Sequence, residues 1–290
     1  MRYRFTLVLT LALATTSSSN LFADLTPVAT YLFGGSLNAE QGAVAALSAV
    51  DPSGVAGFVS DTVLGNTRTV YNFGGATTPN LQGGLAFNST GLIAANNYSV
   101  ELVFEFSAGT GAWRRILDVA DRSTDSGFYV DPSNNLDVYP VSGGSGLFTT
   151  SAYHSVVLTV APSSNAVVAY LDGTRAFSTT STVMNITSAT NLVNLFLDNT
   201  SGGGLGEYSP GHIALFRVYA GVLGSGQVST LAADPFASAA VPEPSSLFLM
   251  CSAGIALVGF RQFRRAISRQ AAASRARTAG ASSASGFSAR

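Results

Sequence analysis

The stretch from Tyr98 to Phe106, YSVELVFEF, constrains the fold more than any other part of the chain. Its side chains alternate in character, so an extended chain would carry mainly apolar residues on one face and polar residues on the other. The first face comprises Val100, Leu102, Phe104 and Phe106, and the second comprises Ser99, Glu101, Val103 and Glu105. The pattern predicts a long, half-buried β-strand.

Further strand patterns follow at short intervals, separated by polar turns. They cover Arg114–Ala120, Gly127–Val130, Leu136–Tyr139, Tyr153–Ala161, Ala166–Leu171 and His212–Ala220. Residues 162–165 (PSSN) predict a hairpin loop, and Asp172-Gly173 predicts a tight turn. Only Gly226–Ala233 has the spacing of a short helix. We therefore predict an all-β fold, an antiparallel two-sheet sandwich over residues 24–236.

The composition agrees with a strand-rich fold that is stabilised by its own core. The chain has 30 glycines and only 11% charged residues, which is well below the quarter typical of globular proteins. Its one cysteine, Cys251, lies in an apolar run near the C-terminus, so no intrachain disulfide can form. About 215 residues are enough for one domain with a sizeable core.

The N-terminus has the build of a secretory signal peptide. Residues 1–4 are basic, residues 5–14 form an apolar run too short to span a bilayer, and residues 15–23 are small and polar. We place the cleavage junction at Ala23/Asp24. The sequence thus predicts export from the cytoplasm.

The C-terminal segment has three parts in a fixed order. Pro242, Glu243 and Pro244 come first, and the two prolines disfavour a helix and strand pairing. The apolar run 245–260 follows, whose sixteen residues would span roughly 24 Å as a helix and barely cross a bilayer. The cluster of Arg261, Arg264 and Arg265 then predicts a cytoplasmic stop-transfer signal. The remaining residues, 266–290, are rich in Ala, Ser and Arg and are predicted to be disordered.

The charge is divided unevenly along the chain. Residues 24–240 carry fifteen carboxylates and six arginines, whereas residues 261–290 carry seven arginines and no acid. The acidic charge of residues 24–240 argues against nucleic acid as a partner, because phosphate binding needs positive charge. It is typical of a solvated surface that keeps an exported protein soluble.

Two resemblances to known families rest on these patterns. The order VPEPS, apolar span and arginine cluster resembles the PEP-CTERM sorting signal of Gram-negative bacteria, which implies recognition by an exosortase in the inner membrane. Such proteins usually end soon after the arginines, whereas this chain continues to Arg290. The middle of the chain resembles a laminin-G-like, concanavalin A-like jelly roll, which implies a sugar-binding, adhesion or glycosidase domain. The resemblance rests on the order YHSVVLTV, hairpin, VVAYLDG, HIALFRVYAGVLG and the QVSTL helix.

Glu101 and Glu105 are the most plausible catalytic pair, since some jelly-roll glycosidases use two glutamates spaced in this way around a central aspartate. Here the central residue is Val103, and the two Cα atoms would lie about 13 Å apart on one strand face. We expect two solvated glutamates on an outer sheet face. His154 and His212 lie in strands without a nearby nucleophile motif, and we expect them to face solvent or a polar neighbour. The sequence therefore predicts no catalytic residues and no enzyme.

Two groups of residues suggest ligand binding. Asp118, Asp121 and Asp125 cluster in DVADRSTDSG, and Asp198-Asn199 ends another strand. Oxygen ligands on loops suit Ca²⁺, although the spacing of these residues is not that of an EF-hand. The alternative is that they form polar turns in which the side chains cap their own backbone. Trp113, Tyr129, Tyr139 and Tyr208 lie near polar loops and could stack on sugar rings, although a lone Trp at a strand start is often a core residue.

Together these features predict an exported surface or extracellular-matrix protein whose non-catalytic jelly roll binds exopolysaccharide or another glycan. A structural matrix component without a ligand is a second hypothesis. A glycoside hydrolase or lyase on the same fold is the third.

Overall fold

The computed structural model describes residues 26–74, 78–144, 147–201 and 205–237. Within them lie fifteen strands, a 3₁₀ turn at Pro79–Leu81 and one α-helix. In chain order the strands are β1 (Ala29–Tyr31), β2 (Ser48–Val50), β3 (Gly57–Val63), β4 (Asn66–Phe73), β5 (Gly84–Asn88), β6 (Tyr98–Phe106), β7 (Arg114–Asp118), β8 (Gly127–Val130), β9 (Leu136–Tyr139), β10 (Ser142–Gly143), β11 (His154–Ala161), β12 (Ala166–Leu171), β13 (Thr174–Thr180), β14 (Leu192–Leu195) and β15 (Gly211–Tyr219), and the helix is α1 (Ser225–Ala233).

These strands form two sheets. Sheet A has eight strands in the order β13-β12-β11-β6-β15-β4-β3, with β1 also paired to β15. Sheet B has seven strands in the order β10-β9-β8-β7-β14-β5-β2. All strand pairs are antiparallel. The prediction of an all-β, antiparallel two-sheet sandwich is confirmed.

The core lies between the inner faces of the sheets, as the alternation in β6 predicts. Val100, Leu102, Phe104 and Phe106 are at most 1% exposed and belong to the main hydrophobic cluster. Sheet B contributes its own alternate residues, such as Phe128 and Val130 of β8. The rings of Phe73 and Phe196 stack with their centroids 3.9 Å apart. This large apolar core is consistent with a fold that has no disulfide in its described part.

Several predicted elements have the bounds that the sequence indicated. Strands β8, β9 and β12 agree at both ends, β7 ends two residues early, and α1 begins one residue early, at Ser225. Asp172 and Gly173 have φ angles of 49° and 78°, as a two-residue turn between β12 and β13 requires. The sequence does not predict strands β1 to β5, β10, β13 and β14, because these segments either are at most five residues long or, in β3, β4 and β13, alternate weakly.

The prediction that β6 is half-buried is wrong, because the outer face of sheet A is also covered. All nine residues of β6 are buried. The β3–β4 hairpin and Phe236 cover Val103 together with Ala214 and Leu215. Helix α1 covers the neighbouring region, where Val228 packs in a cluster with Val157 and Tyr219. The outer face of sheet A is therefore covered around its central strand β6.

The predicted signal peptide (1–23), sorting motif (242–244), membrane span (245–260) and tail (266–290) lie outside the described residues. Among the residues that the structure describes, no helix is both long and apolar enough to span a membrane.

Candidate functional site

Three aromatic side chains meet on the outer face of sheet B. Trp113 packs edge-to-face on Tyr129 and on Tyr139, with ring centroids 5.6 and 5.4 Å away. Tyr129 points outward because its neighbours Phe128 and Val130 point into the core. Tyr129 is fully buried, Trp113 is half-buried, and Tyr139 is 37% exposed. Trp113 is thus part of a surface aromatic cluster and not of the central core.

A buried arginine lies beside this cluster. The Arg115 guanidinium is 4.9 Å from the centroid of the Tyr129 ring, and its Nη2 donates to the carbonyls of Thr124 and Ser126. Its Nη1 lies 3.6 Å from one oxygen each of Asp118 and Asp198. Gly127 makes room for it, because a Cβ at that position would approach Arg115 Nε to 3.0 Å. The side chain is therefore fixed under the aromatic rings.

Three carboxylates meet next to Arg115. Oxygen atoms of Asp125, Asp198 and Glu207 all lie within 4.8 Å of one another. Asp198 is fully buried, and its Oδ2 accepts hydrogen bonds of 2.9 Å from the backbone N–H groups of Gly206 and Glu207. Burial, aided by the charges of Asp125 and Asp198, raises the pKa of Glu207 to about 7. We name these three residues the acidic group.

The surroundings of the acidic group fit a cation. When ionised, four carboxylates supply four negative charges and two arginines supply two positive charges, which leaves an excess of two negative charges. The carboxylates are those of Asp118, Asp125, Asp198 and Glu207, and the arginines are Arg115 and Arg122. Asp125 Oδ1 and Asp198 Oδ1 are buried and accept no hydrogen bond from the described residues, apart from the 3.6 Å contact of Asp198 with Arg115. Hard oxygen ligands with an excess of two negative charges suit Ca²⁺.

The sequence suggests a calcium site formed by three neighbouring aspartates, but only one of them, Asp125, joins the acidic group. Asp118 is buried, contacts Arg115, and accepts hydrogen bonds from the Arg122 N–H and from Asn194. Asp121 instead accepts a hydrogen bond from Thr190. Asp198, which the sequence indicates together with the three aspartates as a possible oxygen ligand at a strand end, also joins the acidic group, whereas the sequence does not indicate Glu207 because it is far from the other acids in the chain.

The remaining ligand-binding residue of the sequence prediction, Tyr208, follows Glu207 and is half-buried. Arg115 gave no sequence signal, since an arginine at the start of a strand usually faces solvent.

The two glutamates of β6 are not solvated, contrary to expectation. Glu101 is fully buried, and its Oε2 accepts hydrogen bonds from Arg217 and Tyr219 at 3.2 and 3.0 Å. Burial raises the pKa of Glu101, and Arg217 opposes that shift. Glu105 is 7% exposed and lies beside His212. The reason is that Phe236, helix α1 and the β3–β4 hairpin cover this face of sheet A.

Both histidines have polar neighbours, as expected. His154 Nδ1 lies 2.7 Å from Asp172 Oδ2, and its Nε2 accepts a hydrogen bond from the Thr149 N–H. His212 Nδ1 lies 2.9 Å from Asp61 Oδ2 and 3.2 Å from Glu105 Oε1.

Two antiparallel sheets in this strand order define a concanavalin A-like sandwich. The chain belongs to the concanavalin A-like lectin/glucanases superfamily, whose family model matches residues 79–229. The PEP-CTERM protein-sorting motif matches residues 240–265, which confirms the resemblance of the C-terminal segment to that sorting signal. This motif implies a protein that is exported, processed by an exosortase and sorted to the cell surface.

Solved structures share the fold at low sequence identity. Domain 4 of AbnA, a GH43 extracellular arabinanase from Geobacillus stearothermophilus, in complex with arabinotriose, has 18% identity and a TM-score of 0.54 over 72% of this chain and 99% of that chain. The binding domain of Paraclostridial Mosquitocidal Protein 1 has 10% identity and a TM-score of 0.50 over 71% of this chain and 52% of that chain. No curated protein matches the sequence.

Proposed function

We propose that this protein is a non-catalytic, cell-surface polysaccharide-binding protein whose binding site is the outer face of sheet B. The observation that carries the proposal is the aromatic cluster of Trp113, Tyr129 and Tyr139 next to the acidic group. Aromatic rings pack on the apolar faces of sugars, and carboxylates accept hydrogen bonds from sugar hydroxyls. The sorting motif supports a location where such polymers are available.

Arabinotriose, which accompanies AbnA domain 4 in its structure, supports a glycan as the ligand class and supplies a first probe. Asp125, Asp198 and Glu207 would hold a Ca²⁺ ion, whose positive charge would attract hydroxyl oxygens of a bound sugar. The side chains of Trp113 and Tyr139 would orient the sugar ring. Glycan binding should therefore be measured with and without Ca²⁺.

The test compares two aromatic residues of equal exposure on opposite sheets. Tyr139 and Phe58 are both 37% exposed, but Phe58 belongs to β3 of sheet A. Binding of the purified chain to a glycan array that includes arabinotriose and bacterial exopolysaccharides should weaken at least tenfold in Tyr139→Ala and remain unchanged in Phe58→Ala. Equal binding by both variants would place the site elsewhere. An array without any bound glycan would favour the structural-component hypothesis.

One observation favours the hydrolase hypothesis as the second candidate. A carboxyl group with a pKa of about 7, close to two other carboxylates, is what a general acid needs at neutral pH. Glu101 and Glu105 do not support that hypothesis, since Glu101 is fully buried. Release of reducing sugar by the wild-type chain that disappears in Glu207→Gln would establish the hydrolase and reject the non-catalytic proposal.

A further inference from the structure

Asp61, Glu105 and His212 meet on the outer face of sheet A, away from the site proposed above. His212 and Glu105 are directly opposite each other on β15 and β6. Strand β4 pairs with β15 only at Gly211–Ile213, and the β3–β4 hairpin packs on the sheet through Val63 and Val70. The hairpin carries Asp61 to the other two residues.

The three side chains offer one imidazole nitrogen and two carboxylate oxygens. His212 Nδ1 lies 2.9 Å from Asp61 Oδ2 and 3.2 Å from Glu105 Oε1, and all three ligand atoms are within 4.8 Å of one another. Tetrahedral Zn²⁺ with ligands at about 2.0–2.2 Å needs its ligand atoms roughly 3.3–3.6 Å apart. Small side-chain movements would satisfy this geometry.

Other hydrogen bonds hold the two carboxylates in place. Tyr153 donates its hydroxyl proton to Asp61 Oδ2 at 2.8 Å, and the Thr62 N–H donates to Asp61 Oδ1. Ser107 donates to Glu105 Oε1 at 3.0 Å. Such outer contacts orient metal ligands and reduce the entropy lost on binding.

The charge and the exposure of the three residues also favour a cation. Two carboxylates face one imidazole, and the nearest arginine of the hairpin, Arg68, places its guanidinium 3.6 Å from the Phe236 ring. The side chains of His212, Asp61 and Glu105 are 24%, 33% and 10% exposed, so an ion can reach them from solvent. His154, in contrast, has the single carboxylate of Asp172 beside it.

We propose that Asp61, Glu105 and His212 bind a first-row divalent metal ion of the Zn²⁺ type, which links the edge strand β3 of sheet A to the central strands β6 and β15. The metal takes the position of the proton between His212 Nδ1 and the carboxylates, and the fourth ligand is water. The imidazole favours Zn²⁺ over Ca²⁺, which prefers oxygen ligands alone.

The two histidines allow a matched experiment on the full chain. After EDTA treatment and dialysis, the chain is titrated with ZnCl₂ in a calorimeter. Wild type and His154→Gln should bind one Zn²⁺ per chain at this site, and His212→Gln and Asp61→Asn should bind it at least tenfold more weakly. A tenfold excess of CaCl₂ should not displace it. Unchanged affinity in His212→Gln, equal loss in His154→Gln, or displacement by Ca²⁺ would overturn the proposal.

A second measurement does not use His212→Gln and remains decisive if that variant does not fold. The chain contains two histidines, so ¹⁵N imidazole spectra of the wild type contain two spin systems. Zn²⁺ should shift the Nδ1 resonance of one of them and leave the other unchanged, and His154→Gln identifies which is which. A shift confined to His154, or no shift in either, would contradict the proposal.

Discussion

Glu101 and Arg217 form a charged pair that is enclosed by protein on all sides. Glu101 is fully buried and Arg217 is 4% exposed, and Tyr219 also donates its hydroxyl proton to Glu101. Arg217 Nη2 donates in addition to the backbone carbonyl of Ala237. Removing one member of such a pair leaves the other charge without compensation, which costs more than the pair itself contributes.

We predict that Arg217→Met lowers the free energy of unfolding by about 3–5 kcal/mol, since it leaves the Glu101 carboxylate buried and unpaired. The double variant Arg217→Met/Glu101→Leu should recover more than half of that loss, because no charge then remains to be solvated. Urea unfolding monitored by fluorescence measures all three proteins. A double variant no more stable than Arg217→Met would show that the loss comes from packing alone.

Helix α1 lies against the turn between β12 and β13. Gly173 in that turn has a φ of +78°, and a Cβ there would come within 2.9 Å of the Ala232 Cβ. Gly65, in the turn between β3 and β4, has a φ of +84° with no atom within 4 Å of such a Cβ. The two glycines thus share backbone geometry and differ in the contact with α1.

Gly65→Ala should destabilise the fold by about 1–2 kcal/mol through backbone strain, and Gly173→Ala should destabilise it by about 1–3 kcal/mol more through overpacking. Combining Gly173→Ala with Ala232→Gly should remove the additional part, which a double-mutant cycle from thermal unfolding would show. Equal destabilisation by the two glycine variants would mean that α1 shifts to accommodate the new Cβ at position 173 without a loss of stability.

The sequence predicts an element well where its pattern is local, but it does not predict which distant residues will bury that element. Alternation in Tyr98–Phe106 identifies the strand and its inner face, but it contains no information about what lies on the other face. That coverage comes from Phe236 and α1, more than a hundred residues later. The acidic group also depends on long-range contacts, because Asp125, Asp198 and Glu207 converge only once β7, β8, β14 and β15 are folded. The proximity of aspartates in the sequence therefore does not predict which carboxylates meet in the structure.

At the scale of the whole molecule, the charge division predicts a change on sorting. Residues 261–290 carry seven arginines and no acid, whereas residues 24–240 carry fifteen carboxylates and six arginines. Exosortase processing, which the motif at 240–265 implies, would separate the acidic part from the basic part.

We therefore predict that the mature surface protein lacks the residues after about Pro244 and is more acidic than its precursor. Two prolines make 242–244 a suitable extended segment for a protease. Intact-mass measurement of the native protein decides the matter. A mass that still includes residues 245–290 would mean that this segment is a permanent anchor.

The contact between Arg217 and the Ala237 carbonyl places the end of the described chain on the outer face of sheet A. Trp113 and Tyr139 lie on the outer face of sheet B, across the full thickness of the sandwich. The last described residue and the exposed aromatic side chains therefore lie on opposite outer faces of the domain. A polysaccharide bound at Trp113 and Tyr139, as proposed above, would lie on the outer face opposite to the one that holds Ala237.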